Sequence, residues 1–555
     1  MNNLPVRAGV GLVVLKSPLN QVLHRFKRLL PEISSHVEKL LYVHILSEST
    51  GPPNEKNVAL QCNTNYDIAR WTKVISGIYS HSSSLPALDL RMLLDGVKEQ
   101  DNHSSRSLTT KNKIEVVFFD PLMKKDSVRE YKHHCLNQCP DDSLTAEPKE
   151  IKLDFSSVDA ASATLSLDTE NKSTDKVYET VVLGGTFDRI HAGHKILLST
   201  ALLRCQREIT VGVTDGENML RKKLLPELIL PCSERISDVK DFLEDVDQTL
   251  KEYRVVPIID PFGPSIEDES LQLIIGSEET ARGCLKVNEV RKERGLSQLD
   301  VHVIDLVQDE IDDHEAPERE AKVSSSSNRM RLLGTELRSP QQKYNKQKGP
   351  YVIGLTGGSC SGKTNISHYL DDLGAGVIDC DLLGHAAYNP GTSCFENVVK
   401  EFGLDLVAED GYIDRKKLGS KVFGSNNKSN KQKLEAIVWP EIWKMAEDMI
   451  QNLWQNEKQK VVIVDAAVLL QAGWKDKVNQ VWVSIVDTES AVERIMKRDS
   501  KTEDEARARL SSQFSNRDYV NEANVVFCSK WEKTFTQKQV DKAWTHLHDV
   551  YLKDG

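Results

Sequence analysis

Two apolar runs in this chain of 555 residues each end in a glycine-rich turn that a helical pattern follows at once. The first turn is GGTFDRIHAGHK at 184–195, and the second is GLTGGSCSGKT at 354–364. A strand, a glycine-rich turn and a helix start bring backbone N–H groups and the positive end of a helix dipole together, so phosphate is the natural occupant. The chain is therefore expected to fold around two phosphate-binding α/β domains.

The segments around the two turns predict the domain organisation. Apolar strands alternate with amphipathic helices over 177–338 and again over 350–555, which is typical of α/β domains with a doubly wound parallel sheet. The polar segment 339–349 is predicted to link these two domains. Residues 141–176 are rich in Ser, Thr and acidic side chains and are predicted to be a linker. Residues 1–140 are predicted to form a small N-terminal α/β region.

The composition limits the classes of partner. The chain has a formal net charge of −11, which argues against a nucleic-acid binder with a broad basic surface. Small anionic molecules remain the expected partners. No apolar run approaches the roughly 20 residues that span a bilayer. Ten cysteines without a repeating spacing favour a reducing compartment.

The N-terminal segment allows two interpretations. No acidic residue precedes Glu32, whereas basic side chains occur at Arg7, Lys16, Arg25, Lys27 and Arg28. Such a segment resembles a mitochondrial targeting or membrane-surface element, with membrane or protein contacts through this region and a cytoplasmic or mitochondrial location. The alternative, equally weighted, is the ordinary first strand and helix of a globular domain.

The string HHCLNQC at 133–139 is the only tight group of histidines and cysteines. A zinc site is conceivable there, but no second pair of ligands follows at a usual spacing. A thiol-bearing helix end is the favoured interpretation.

Two histidines stand at the predicted helix start in the first turn. Imidazoles of His191 and His194 at that position can donate hydrogen bonds to phosphate oxygens as charge builds during attack on phosphorus. Gly193 between them lets the backbone approach a ligand closely. The pattern indicates that a nucleotide α-phosphate is attacked in place, without a protein nucleophile.

The string GGTFDRIHAGH resembles the HxGH signature of the nucleotidyltransferase superfamily. VGVTDGENMLRKKLLPELILPCSER, GSEETARGCLKVNEVRKERGL and VSSSSNRMRLLG follow in the order typical of phosphopantetheine adenylyltransferases of the eukaryotic and archaeal type. This resemblance implies that Thr186 orients the attacking phosphate, that His194 stabilises the transition state and that His191 binds the nucleotide phosphate. It also implies substrate or ATP contacts at Gly184, Gly185, Phe187, Gly193, Lys222 or Lys223, Arg282, Ser324, Ser325, Ser326 and Arg329.

The second turn fits G-x-x-x-x-G-K-[ST] completely at 357–364. In this motif the loop N–H groups surround the β-phosphate, Lys363 reaches the β- and γ-phosphates, and the Thr364 hydroxyl binds Mg²⁺. The ATP-binding residues predicted here are Gly357, Gly358, Ser359, Cys360, Ser361, Gly362, Lys363 and Thr364.

Residues downstream of this motif narrow the reaction. Asp379 and Asp381, two apart at a predicted strand end, are expected on one side of an extended segment, where a carboxylate can accept a proton from a substrate hydroxyl. Asp465 ends a buried strand and is a candidate for the water shell of Mg²⁺. Arg494 and Arg498, four apart on a helix, are candidates for a lid that closes on the transferring phosphate. A solvated helix face is the alternative for these two arginines.

Over about 350–550, the strings VIDCDLLGHAAYNPG, VDAAVLLQAGW and RIMKRD resemble the dephospho-CoA kinase family. The resemblance implies that Asp381 is the base that activates a ribose 3′-hydroxyl. Ala467 and Gln471 stand where that family commonly has proline and glutamate, which weakens a catalytic role for their stretch. Arg507 and Arg509 are further lid candidates.

One chain with both signatures in this order resembles the bifunctional coenzyme A synthase family. The resemblance implies adenylyl transfer from ATP to 4′-phosphopantetheine, then ATP-dependent phosphorylation of the dephospho-CoA 3′-hydroxyl, with Mg²⁺ serving both steps. A kinase–adenylyltransferase of pyridine nucleotide metabolism shares the two generic motifs and stays open as an alternative. A regulatory binding protein with retired sites predicts losses among His194, Lys363, Thr364 and Asp381, and all four are present.

Overall fold

The computed structural model describes residues 7–16, 19–46, 68–82, 85, 88–94, 97, 108–136, 148–153, 176–309, 311, 317–318, 320–340, 349–422 and 428–553. The chain divides into two compact units, one of residues 1–313 and 319–328 and one of residues 314–318 and 329–555. The first unit contains two parallel five-stranded sheets and the second contains one, so the predicted α/β fold class is confirmed. Within the described residues, no helix has both the length and the apolar character needed to cross a membrane.

The boundary between the units lies before the predicted linker at 339–349. The reason is that the chain just after the boundary is bonded into the second unit: the Gly334 N–H donates to Val526 O and the Leu337 N–H donates to Asn524 O. Arg338 adds two hydrogen bonds, to Val520 O and Ala523 O.

The N-terminal sheet has the strand order β3-β2-β1-β4-β5, and its neighbouring strands are parallel. Its strands are β1 (Ala8–Leu15), β2 (Val37–Ile45), β3 (Asp89–Met92), β4 (Val116–Phe119) and β5 (Lys149–Glu150), and its helices are α1 (Leu19–His36), α2 (Ile68–Ser82) and α3 (Lys125–Tyr131).

The described part of the basic N-terminal segment forms ordinary elements of this domain, strand β1 and helix α1. Strand β1 lies at the centre of the sheet, and α1 buries Val22, Phe26 and Ile33 in the core. Strand β5 lies inside the segment predicted as a linker, because the Lys149 N–H bonds to Glu115 O beside β4.

The second sheet carries the histidine motif and has the order β10-β9-β6-β7-β8. Its strands are β6 (Tyr178–Gly185), β7 (Cys205–Thr214), β8 (Glu252–Ile258), β9 (Leu273–Ser277) and β10 (Asp300–Ile304). Its helices are α4 (Ala192–Arg204), α5 (Glu217–Leu220), α6 (Cys232–Val246), α7 (Ala281–Glu293) and α8 (Ser325–Leu332), the last of which runs across the boundary between the units.

Helix α4 is buried on nearly all sides. Eleven of its 13 residues are buried, which is typical of a helix that is covered on more than one face. Its own sheet covers one face, and α2 of the N-terminal domain packs against it as well.

The sheet of the second unit has the order β12-β13-β11-β14-β15. Its strands are β11 (Tyr351–Gly357), β12 (Gly376–Asp379), β13 (Val461–Asp465), β14 (Gln480–Ile485) and β15 (Val525–Cys528). Its helices are α9 (Lys363–Asp372), α10 (Cys380–Ala386), α11 (Ser393–Phe402), α12 (Arg415–Val422), α13 (Lys428–Gln455), α14 (Thr488–Asp499), α15 (Glu503–Ser511), α16 (Asn516–Glu522) and α17 (Lys533–Leu547). Because parallel strands end at one edge, the residues after β11, β12 and β13 meet there.

Candidate active sites

The turn between β6 and α4 places two histidines against each other at the helix mouth. The ring centroids of His191 and His194 lie 3.8 Å apart with 26° between the ring planes, and the Phe187 ring lies 5.1 Å from that of His194. His191 is the N-cap residue of α4, but its side chain makes no capping hydrogen bond. A Cβ at Gly193 would come within 3.2 Å of the His191 ring, so glycine leaves room for the imidazole.

His194 is held in its neutral form. Its Nδ1 atom is buried without a hydrogen-bond partner. Burial lowers the pKa of His194 to about 4, and the Asp188 charge opposes this only in part. A neutral imidazole still has one ring N–H, which can donate to a phosphate oxygen that gains charge.

The depressed pKa gives a direct prediction. Since the folded-state value is about 4, the His194 ring stays neutral from pH 8 down to about pH 5. Histidine-selective ¹³C NMR of the unliganded protein, with His194→Gln to assign the signal, measures this titration. A His194 resonance that titrates near the ordinary value of about 6.5 would contradict the prediction.

The loop that carries Thr186 is fixed by a buried arginine that the sequence analysis missed. Arg235, on α6, is 1% exposed and donates to Thr186 O at 2.7 Å, Thr214 O at 2.8 Å and Leu230 O at 2.9 Å. A buried arginine is rarely found without hydrogen-bond acceptors. An arginine on the inward, apolar face of an amphipathic helix is therefore the sequence signal that could have indicated the role of Arg235.

The serine-rich segment is bonded to the histidine loop. The Ser325 hydroxyl donates to Asp188 O at 3.0 Å, and the Ser324 hydroxyl accepts from the Ser327 N–H at 3.1 Å, which caps α8. Phosphate binding by Ser324, Ser325 and Ser326 at this helix start stays a prediction. Arg329 is 1% exposed and belongs to the second unit, so its predicted phosphate contact also stays a prediction.

Lys322, which no motif in the sequence indicates, lies just before the serines. It pairs with Glu279 and with Glu320. Burial lowers the pKa of Lys322, and the positive charge of Lys223 lowers it further. Lys223 therefore lies within electrostatic reach of the serine segment. Arg282 is exposed at the start of α7, three residues beyond Glu279.

Of the two lysines that the resemblance offers for phosphate binding, Lys223 is the one near Lys322, so we predict that Lys223 is the phosphate ligand. We expect Lys223→Ala to raise the KM for ATP in the pyrophosphate-forming reaction about tenfold, the equivalent of one charge-assisted contact of roughly 1.5 kcal/mol. Lys222→Ala is the matched control, because both side chains are exposed in the same turn. Initial rates of pyrophosphate release against ATP concentration test this. A larger effect at Lys222 would reverse the assignment.

The second turn forms a braced loop between β11 and α9. Gly357 and Gly362 have φ values of +149° and +92°, and a Cβ at Gly357 would overlap Ser484 O. The hydroxyls of Ser484 and Ser529 donate to Ser361 O at 2.5 and 2.7 Å. These contacts fix the path of the loop backbone.

Arg494 braces the same loop, which differs from its predicted place in a lid. Its guanidinium donates to Cys360 O at 3.1 Å, to the Ser529 hydroxyl at 2.8 Å and to Ser529 O at 2.6 Å. An arginine fork that already serves three acceptors at the loop is positioned to hold the loop rather than to swing over it.

The other lid candidates divide into two groups. Arg498 and Arg509 both pair with Asp499 and line the cavity of the second unit. Arg507 instead pairs with Glu489 and Glu503 and does not line this cavity. Arg507 is therefore paired at the helix surface and is not placed to act as a lid over the loop.

A cavity of about 750 Å³ opens over the loop. Its lining includes the predicted ATP-binding residues from Gly357 to Thr364 together with Asp381 and Gln471. Gln513 also lines the cavity, and its Oε1 accepts from the Ser359 N–H at 2.9 Å. The Gln471 Oε1 is buried without a hydrogen-bond partner.

Lys363 and Asp465 lie side by side at the strand ends, within electrostatic reach of two further carboxylates. The Lys363 Nζ lies 3.8 Å from Asp465 Oδ1, and Asp379 is the register partner of Asp465. Burial raises the pKa of Asp465. The negative charges of Asp379 and Asp381 raise it further, and the positive charge of Lys363 opposes this rise. A cation would therefore be stabilised beside Asp465.

Asp379 and Asp381 do not share one side of an extended segment, contrary to the prediction. Asp379 ends β12 and caps α10, accepting from the N–H groups of Asp381 at 2.8 Å and Leu382 at 3.1 Å. Aspartate is a preferred N-cap residue, so the extended segment ends at Asp379 and helix α10 begins at Cys380. Asp381 lies in its first turn, exposed and facing the cavity.

The donor set fits Mg²⁺. The Thr364 hydroxyl and the Asp465 carboxylate offer oxygen ligands, and Mg²⁺ is commonly held by one or two carboxylates plus substrate phosphates. Among the described residues, no group of three or more His, Cys, Asp or Glu side chains could hold a metal ion. Of the zinc candidates at 133–139, Cys139 lies outside the described residues.

Comparison with known proteins matches two parts of the chain to two different families. The family model for dephospho-CoA kinase matches residues 351–531, and a cytidylyltransferase-like model matches residues 182–331. The dephospho-CoA kinase of Geobacter sulfurreducens is 38% identical over 193 residues, which is 96% of that protein and 35% of this chain. The chain belongs to the dephospho-CoA kinase family. A second relative with that name, from Symbiobacterium thermophilum, is 36% identical over 80% of its length and 35% of this chain.

This dephospho-CoA kinase family member also carries a second, nucleotidyltransferase-like domain, as the order of motifs predicts. A solved dephospho-CoA kinase from Campylobacter jejuni is 24% identical and covers 36% of this chain and 97% of its own, with a TM-score of 0.29. Residues 1–181 lie outside both matched ranges.

Proposed function

We propose that this chain carries out the last two steps of coenzyme A synthesis, adenylyl transfer to 4′-phosphopantetheine followed by phosphorylation of dephospho-CoA. The observation that carries the proposal is the presence, in one chain, of a dephospho-CoA kinase domain and a nucleotidyltransferase-like domain with two histidines stacked at a helix mouth. The product of the first domain would be the substrate of the second.

In the first step, a phosphate oxygen of phosphopantetheine attacks the α-phosphorus of ATP, and the bond between that phosphorus and the bridging oxygen of pyrophosphate breaks. The backbone of Thr186, fixed by Arg235, orients the attacking group. Neutral His194 donates its N–H to an α-phosphate oxygen as charge develops. Lys223, Lys322 and the serine hydroxyls hold the two phosphates that leave as pyrophosphate.

In the second step, the ribose 3′-oxygen attacks the γ-phosphorus of ATP and ADP leaves. Asp381, exposed in the cavity, accepts the hydroxyl proton. Lys363 lies beside Asp465 and balances charge on the β- and γ-phosphates. Thr364 and Asp465 would hold Mg²⁺, which offsets phosphate charge when it is bound.

The test is a panel of acceptors and nucleotides with the full-length protein and Mg²⁺. We expect pyrophosphate release with phosphopantetheine and ATP, and none above background with nicotinamide mononucleotide and ATP. CTP is included because the matched family model is cytidylyltransferase-like. Pyrophosphate release with nicotinamide mononucleotide and ATP, but not with phosphopantetheine and ATP, would favour the pyridine nucleotide alternative. Release with CTP but not with ATP would make the first domain a cytidylyltransferase.

A further inference from the structure

We propose that the N-terminal α/β domain is a working part of the first site, in which Asp89 acts as a positioning residue for the helix that carries His194. This inference rests on the proposed function for its kinetic test, although its structural test does not.

The N-terminal domain repeats the topology of the nucleotidyltransferase-like domain. When the strands of each sheet are numbered from its own first strand, both sheets have the order 3-2-1-4-5. The connection from β1 to α1 reads KSP, without the glycines and histidines of the second sheet's first turn. At the ends of β1 and β4, where such folds bind ligands, buried Asp120 accepts from the Lys16 N–H and from Arg25. The strand ends of this sheet therefore carry an internal ion pair and no glycine-rich turn of that type.

The role of this domain is better sought at α4. Trp71, Ile75 and Tyr79 of α2 belong to one continuous buried cluster with Leu197 and Leu202 of α4. Because the same cluster includes strands of both sheets, the two domains share a core. Without the N-terminal domain, an apolar face of helix α4 would be exposed to water.

A chain of alternating charges runs from α4 through the N-terminal domain to α6. Lys195 Nζ bonds to Asp89 Oδ1 at 2.5 Å and to Leu90 O at 3.0 Å. Arg91 bonds to the other Asp89 oxygen at 2.9 Å and to Asp245 at 2.5 Å. Tyr42 completes the chain with a hydrogen bond to Asp245 at 2.7 Å. Burial disfavours ionised Asp89, but Lys195 and Arg91 outweigh it and hold its pKa below the ordinary value.

This chain ends beside the reacting groups. Lys195 follows His194 directly, and its N–H donates to His191 O at 3.0 Å in the first turn of α4. The Lys195 side chain is 8% exposed, and the carboxylate that the N-terminal domain supplies is the counter-ion of its buried ammonium group. Through Asp89 and Leu90, strand β3 therefore fixes Lys195 in the first turn of α4, next to the stacked histidines.

The test compares Asp89→Asn with a matched control in the full-length protein. Asp241→Asn is the control, because Asp241 also pairs across the two domains, with Lys111, but lies outside the chain to Lys195. For pyrophosphate formation, we expect Asp89→Asn to lower kcat ten- to a hundredfold with the KM for ATP changed less than about twofold. Asp89→Glu, which keeps the carboxylate, should recover most of the loss. Phosphorylation of supplied dephospho-CoA should stay within about twofold in every variant.

Hydrogen exchange of the unliganded proteins provides the structural test. We expect Asp89→Asn to speed amide exchange at 191–199 about tenfold, and Asp89→Glu and Asp241→Asn to leave it unchanged. Unchanged exchange at these amides would overturn the proposal, as would a fall in kcat equalled by Asp241→Asn. If wild type releases no pyrophosphate from phosphopantetheine, the proposed function fails, and the exchange result alone decides on Asp89. If Asp89→Asn loses protection from amide exchange throughout residues 8–309, the variant is unfolded and Arg91→Gln is used in its place. Arg91→Gln should speed exchange at 191–199 and lower kcat in the same way, but by a smaller factor.

Discussion

His194→Ala is expected to slow pyrophosphate formation from phosphopantetheine and ATP by about 10²–10³-fold, or roughly 2.7–4 kcal/mol of transition-state stabilisation. The physical reason is the loss of a neutral donor at a buried helix mouth, where the imidazole Nδ1 has no hydrogen-bond partner and burial lowers the pKa of the ring. Initial rates of pyrophosphate release measure the effect.

The kinase reaction of the same chain is the internal control for folding. Phosphorylation of supplied dephospho-CoA should be unchanged in His194→Ala. His546→Ala, at a histidine whose side chain is 43% exposed in the second unit, should leave both reactions near wild type. Near-normal pyrophosphate formation by His194→Ala would show that this histidine does not stabilise the transition state.

Lys363→Ala is expected to slow phosphorylation of dephospho-CoA by about 10²–10³-fold while pyrophosphate formation continues. Lys363 lies at the start of α9 beside Asp465, where its charge can balance the β- and γ-phosphates. With phosphopantetheine and ATP as substrates, dephospho-CoA should therefore accumulate. Chromatography of the products over time follows both species.

The control for this variant is Lys497→Ala, at an exposed lysine of α14 that does not line the cavity. It should convert phosphopantetheine to coenzyme A at nearly the wild-type rate. If Lys363→Ala produced coenzyme A as fast as Lys497→Ala, the loop would not be the phosphate site of the kinase.

The contiguous motifs could be predicted from sequence because their chemistry lies in neighbouring residues. Each phosphate turn connects one strand to one helix, so glycine spacing and apolar periodicity alone place His194 and Lys363 at helix starts. The α/β class follows from the same alternation of strands and helices.

Side chains that depend on tertiary contacts were harder to predict. The strand pattern favours an extended conformation through Asp381. Instead, the Asp379 carboxylate caps α10, and this capping stabilises a helix from Cys380 onward. Arg494 sits on a helix face that looks solvated in sequence, yet it reaches Cys360 and Ser529, more than thirty residues away in either direction along the chain. Arg235 and Lys322 were missed for the same reason.

The role of the N-terminal domain could have been suspected from α4 alone. The string HKILLSTALLRC is apolar on more than one face, which indicates a helix with two buried sides. One sheet can cover only one of them. What the sequence could not provide is the identity of the second cover, since the ion pairs of Asp89 and Asp245 join segments about a hundred and about 150 residues apart.

The most direct test of the central claim is product stoichiometry from phosphopantetheine, excess ATP and Mg²⁺ with the wild-type protein. Mass spectrometry of coenzyme A, with pyrophosphate and ADP quantified in the same samples, should give one pyrophosphate and one ADP for each coenzyme A formed. Phosphorylation of supplied dephospho-CoA without any adenylylation of phosphopantetheine would contradict the account and confine the activity to the kinase domain.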